Sequence, residues 1–188
     1  DSPCSLYSTT TNNQYSELRR GIFLFDTSSL PDSATISATT FSLYVISVPA
    51  DAFSEAIGIV ASTPATNTDV VVADYSQLGT TRFATDKTLA SLTTSAYNDF
   101  ALNASGIAAI SLTGVSKFGT RFDDDIDNTA PTWASGVNSQ VNIKWADDTG
   151  TTQDPKLVVT YTAFIPPEAW MPKTDIPTDL RPVKVIPY

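Results

Sequence analysis

The sequence predicts an all-β fold: a jelly-roll-like antiparallel β-sandwich with one short helix and an extended Pro-rich C-terminal arm. Three observations lead there. Between Arg20 and Tyr161 the chain runs as short apolar or alternating stretches separated by turn residues, the pattern of a sandwich or barrel. Its polarity comes from Ser, Thr, Asn and Asp, with only 16% charged residues, and these short side chains favour strands and turns over helix interiors. Helix signals are scarce. At 188 residues and 41% hydrophobic content, one well-buried core and a single domain are expected. The expected divisions are an N-terminal segment over 1–19, the sandwich over 20–163 and the arm over 164–188.

The first stretch, Gly21-Ile22-Phe23-Leu24-Phe25, is apolar on both faces and reads as a central, doubly covered strand. It ends in the turn-rich Asp26–Asp32. From Thr35 to Val48 the apolar positions fall on Phe41, Leu43 and Val45, then shift to Ile46 and Val48, a change of parity that predicts a bulge or a crossing between sheets. Further strands are expected at Ala56–Ala61, Val70–Ala73, Tyr97–Leu102 and Val115–Phe122. Two late strands alternate cleanly, with Val141, Ile143 and Trp145 on one inner face and Leu157, Val159 and Tyr161 on another. The loop Asp147–Asp154 between them reads as a hairpin turn. One helix is expected over Ala104–Leu112, with Asn103 as N-cap, Gly114 just beyond, and Ile107 and Ile110 seating it on the sandwich.

Beyond Phe164 the character changes. Six of the twelve prolines lie there, and Pro167, Pro172, Pro177, Pro182 and Pro187 recur every fifth residue. Proline blocks regular helix and central-strand pairing, so the segment reads as an extended arm of polyproline-like character. Trp170, Met171, Ile176, Leu180, Val183, Val185, Ile186 and Tyr188 are candidate anchors on a neighbouring subunit.

Arg20 with Phe25-Asp26-Thr27-Ser28-Ser29-Leu30-Pro31, then Ala34, Ile36, Ala38, Phe41, Leu43 and Tyr44, and later Asp154-Pro155-Lys156-Leu157-Val158-Val159-Thr160-Tyr161, together form a pattern that resembles the DNRLRE-domain family. The resemblance covers roughly Arg20 to Thr162. It implies a jelly-roll sandwich of secreted or cell-surface proteins, some of them carbohydrate-binding, with similar sequences in tailed-phage structural proteins. It carries over no binding residue by position.

The chemistry the chain can support is narrow. It contains no histidine, which removes the commonest general base, Ser-His and Cys-His pairs and every His-ligated metal site. An enzyme is therefore not expected; the remaining catalytic option, a carboxylate glycosidase, needs two facing carboxylates, and the glutamates number only Glu17, Glu55 and Glu168. No cofactor is required. Asp123, Asp125 and Asp127, at every second residue of an acidic loop, are candidate ligands for a structural calcium ion. Trp133, Tyr97 and Tyr75 are candidate glycan-stacking rings. Cys4 stands alone, so it forms no intrachain disulfide and is free, bridged to another chain or modified.

A net charge of −9 argues against nucleic acid as a partner, and no apolar run is long enough for membrane insertion. The expectation is a non-catalytic module of the extracellular space, cell surface or virion surface. It would decorate, adhere or assemble, its arm docking on a neighbouring subunit. The alternative is a carbohydrate-binding module of a secreted polysaccharide-active protein.

Overall fold

The computed structural model describes residues 2–163, which form two antiparallel sheets packed face to face. The six-stranded sheet contains β1 (Cys4–Ser8), β2 (Tyr15–Arg19), β4 (Thr35–Asp51), β8 (Ala96–Ala101), β10 (Asn138–Ile143) and β11 (Lys156–Thr162). The five-stranded sheet contains β3 (Gly21–Asp26), β5 (Ala56–Ser62), β6 (Leu78–Arg82), β7 (Lys87–Thr88) and β9 (Val115–Phe122). Two short helices, α1 (Ala104–Ala108) and α2 (Asp123–Asp127), complete it. The all-β sandwich expected from the sequence is the observed class.

β4 organises the larger sheet. β11 pairs with its first part, from Thr35 to Ser42, and β10 with its second, from Val45 to Asp51, along one edge; β8 lies along the other. The parity change in the sequence is a pair of bulges: Ile143 faces Val45 and Asn142 faces Ser47, leaving Ile46 over, and a second extra residue falls between Ser47 and Ala50. Phe41, Leu43 and Val45 point inward and are buried, whereas Ile46 is exposed.

The core lies between the sheets. Phe41 is fully buried and meets Phe23, Phe25, Phe118 and Phe100 at ring separations of 5.3, 5.7, 5.8 and 6.5 Å. Most of these contacts are edge-on, the arrangement in which the positive rim of one ring meets the negative face of another. Leu43, Val45, Val141 and Ile143 from one sheet and Ile57, Ile59 and Phe122 from the other close the remaining space. Trp145 stacks on Phe23 at 5.2 Å and packs against this core, as its alternation predicts.

Several expectations are corrected. Among the described residues β3 lies at the edge of its sheet, paired with β9 alone, because doubly apolar character marks burial and not sheet position. The sandwich begins well before residue 20: β1 and β2 belong to the larger sheet, and Cys4 and Leu6 sit in the core. Val70–Ala73 is no strand; it precedes and enters a 3₁₀ turn, Val72–Ser76, and Val70, Val71 and Val72 are exposed. The helix stops at Ala108, with Asn103 capping it by accepting from Gly106 N at 3.0 Å; Ile110 is buried beneath it. Residues 144–155 are not a hairpin, since β10 and β11 pair with β4 and not with each other. A register shift between Thr160 and Tyr161 turns Tyr161 outward. The expected arm, 164–188, lies outside the described residues.

Candidate functional site

The Asp-rich stretch after β9 is a turn of helix and not the loop expected. Three acids in the first turn suit a helix N-terminus, where unpaired backbone N–H groups carry partial positive charge. Asn128 ends the helix in the left-handed conformation (φ 54°), which Asn tolerates better than most residues.

The three carboxylates nominated for calcium are drawn to separate partners. Asp123 accepts from Ala56 N at 2.7 Å. Asp125 receives two guanidinium forks, from Arg20 at 2.7 and 2.8 Å and from Arg121 at 2.7 and 3.0 Å. Asp127 takes a third fork, from Arg82, at 2.7 and 2.9 Å. Among the described residues no three acidic or cysteine side chains are grouped to hold a metal ion. The arrangement ties α2 to Arg20 at the junction of β2 and β3, and to β5, β6 and β9, and Arg121 also donates to Gly79 O at 2.9 Å.

Two clefts, each of about 310 Å³, flank this knot. The first lies between β1, β2 and α2, walled by Leu6, Tyr15, Leu18, Phe122 and Pro131, with Glu55 and Asp124 beside them. The sequence marks Glu55 only as one of three glutamates. Its backbone is pinned on both sides, the N–H donating to Asp51 Oδ1 at 2.9 Å and the carbonyl accepting from Leu89 N at 2.9 Å, directly after Ser54 at φ 60°. The residue is 1% exposed and neither carboxyl oxygen has a hydrogen-bond partner. Burial, and then the charges of Asp124, Asp123 and Asp51, push its carboxyl up to about 9, so it stays protonated at neutral pH. Asp124 is pushed up too, by burial and by Asp123 and Asp127. A lone glutamate placed immediately before an apolar strand was the available signal.

The second cleft is walled by Arg20, Ile22, Val70, Val71, Tyr75, Leu78 and Trp145. The Trp145 Nε1–H is buried without an acceptor. Beside it Val70, Val71 and Val72 are 58, 53 and 95% exposed.

The nominated glycan rings are scattered. The Arg20 guanidinium lies 4.3 Å from the Tyr75 ring centre, and Tyr75 donates to Leu18 O at 3.0 Å. Lys156 Nζ lies 3.3 Å from the Tyr97 ring centre; the Tyr97 hydroxyl donates toward Thr152 O and Asp154 O, and Tyr44 meets the ring edge-on. Each of these rings therefore has a cation on one face. Trp133 is half-buried, with its Nε1 unpartnered. Tyr75 belongs to the second cleft, Tyr97 to the outer face of the larger sheet and Trp133 to the loop before β10, so the structure does not bring them together.

Cys4 is fully buried at the β1–β10 pairing, opposite Val141, and burial pushes its thiol up to about 12. It serves as a small core residue, not as a reactive or bridging thiol. Among the described residues no helix is long and apolar enough to cross a membrane. No family model, curated protein or solved structure matches the chain.

Proposed function

We propose that this chain is a non-catalytic surface module, a decoration, adhesion or assembly component of a virion or cell surface, and that segment 164–188 docks it on a neighbouring subunit. The observation that carries this reading is the character of β11. It is the outermost strand of its sheet, with Val158 56% and Tyr161 40% exposed, and the chain passes from it directly into the Pro-rich segment. An edge strand offers free backbone groups as well as apolar side chains, and natural sheets ordinarily blunt such edges. Here it adjoins a segment rich in aromatic and aliphatic anchors.

The same reading takes the chain as a jelly-roll-like relative of DNRLRE-domain modules, supported by Phe25–Pro31 at the crossing between sheets and Asp154–Tyr161 leading through β11. A non-catalytic role is supported by the chemistry present. A glycosidase needs one carboxyl neutral and one ionised, both facing substrate. Glu55 is sealed from solvent, and Asp124 is pushed in the same direction. Glycan binding has less support, because Tyr75 and Tyr97 are each capped by a cation and lie apart. Nucleic acid is disfavoured by the net charge of −9.

Light scattering on the full chain and on a chain ending at Ala163 tests this. The expected result is a defined oligomer for the first and a monomer with an unchanged melting temperature for the second. The same number of subunits in both refutes the docking role.

A further inference from the structure

Resting on the assembly reading, the structure assigns a receiving surface: we propose that the cleft walled by Trp145, Tyr75, Ile22 and Val71 binds an Ile-Pro element of segment 164–188 from a second copy of this chain.

Val70, Val71 and Val72 form the most exposed run of large aliphatic side chains among the described residues, and Tyr75 beside them is 41% exposed. Isolated apolar residues on a surface are ordinary, but three consecutive valines at the lip of an apolar cleft form a contiguous patch, and such patches mark interaction sites. The cleft below them has aromatic and aliphatic walls, with Arg20 as its one charged member.

Proline-rich chain has the complementary chemistry. It presents backbone carbonyls, lacks N–H groups at each proline, and loses little conformational entropy on binding, which is why aromatic-lined grooves with a hydrogen-bond donor recognise it. The sequence holds three such elements at similar spacing: Ile165-Pro166, Ile176-Pro177 and Ile186-Pro187. Each offers a branched aliphatic side chain for the pocket and an isoleucine carbonyl, the acceptor next to a proline ring. The cleft volume of about 310 Å³ is at the small end of ligand pockets, suited to a dipeptide-sized anchor and not to a folded domain.

A second copy is favoured over an unrelated partner because the chain itself carries both halves, the apolar cleft and the proline-rich ligand. Twenty-five residues follow Ala163, and in extended form they reach on the order of 75 Å, enough to cross to a neighbour.

Two full-length variants test the assignment by sedimentation or light scattering across a concentration series. Val71→Asp is expected to weaken self-association by about a hundredfold or more, a charge being buried in place of a methyl contact. Val70→Ser, at a cleft-wall position that is 58% exposed, is expected to weaken association by about tenfold while the same change in the chain ending at Ala163 leaves the melting temperature unchanged. That combination separates docking from a structural role, which would lower the melting temperature. If removing 164–188 dissociates the oligomer but both variants associate normally, the cleft is not the receptor and the assembly reading survives. If the full chain is monomeric at all concentrations, both fall.

Discussion

Arg20 and Asp125, 105 residues apart in the chain, form a two-pronged ion pair with N–O separations of 2.7 and 2.8 Å, and Arg121 grips the same carboxylate from its other side. One side chain thus joins the start of the smaller sheet to α2 and the end of β9, and Tyr75 lies over the Arg20 guanidinium.

The carboxylate of Asp125 and both arginine heads are largely screened from water, so removing the shared acid leaves two cations without their partner. Asp125→Ala is expected to lower stability by about 3–5 kcal/mol in urea denaturation, and Arg20→Ala by less because Arg121 still satisfies the acid. Burial raises the Asp125 carboxyl, but hydrogen bonds from Arg121 and Arg20 outweigh it and hold it below its ordinary 3.8. Its contribution is therefore present above that value and is lost as the pH falls below it. The alanine variant should show a flatter acid limb in the same measurement.

Glu55 works in the opposite sense. Its folded-state value of about 9 lies above the ordinary 4.5, so its protonated form stabilises the fold fully below 4.5, and that contribution is lost as the pH rises through about 9. Unfolding free energy should decline over this window by an amount on the order of a few kcal/mol. Glu55→Gln keeps the shape and cannot ionise, so its stability should decline less; parallel pH curves for the two proteins would show that Glu55 is not the group responsible.

Gly106 provides a case in which packing overrides propensity. Alanine in a helix is worth about 1 kcal/mol over glycine. At Gly106, however, a Cβ would come within 2.9 Å of the Phe83 carbonyl oxygen and 3.0 Å of the Leu102 and Phe83 Cβ atoms. Gly106→Ala is accordingly expected to destabilise by about 1–3 kcal/mol, as overpacked sites do. A rise in melting temperature would show that α1 has room to move.

The strands that could be read from the sequence are those whose signal is local. β10 announces itself by the alternation of Val141 and Ile143 with Asn142 and Lys144, β5 by its apolar run, and α1 by Asn103, because period and capping depend only on near neighbours in the chain. The bulge in β4 was legible for the same reason: a shift in parity leaves a trace in one strand alone. The candidate clefts left no such trace. Glu55 owes its raised carboxyl to burial and then to Asp124, Asp123 and Asp51, and the second cleft takes its walls from β3, β6 and the segment between β5 and β6.

The amino-acid order alone specified an all-β chain, most of its strands, its helix cap, an irregularity within β4 and the absence of histidine chemistry. Tertiary structure decided that β3 is an edge, that β1 and β2 join the larger sheet, that Asp123, Asp125 and Asp127 are divided among different partners, and that Val70–Val72 stays uncovered. The reason is one of range. Alternation and turn chemistry are set within a few residues, whereas edge position, burial of a charge and the partner of a carboxylate depend on groups that only folding brings close, as Arg20 is brought to Asp125.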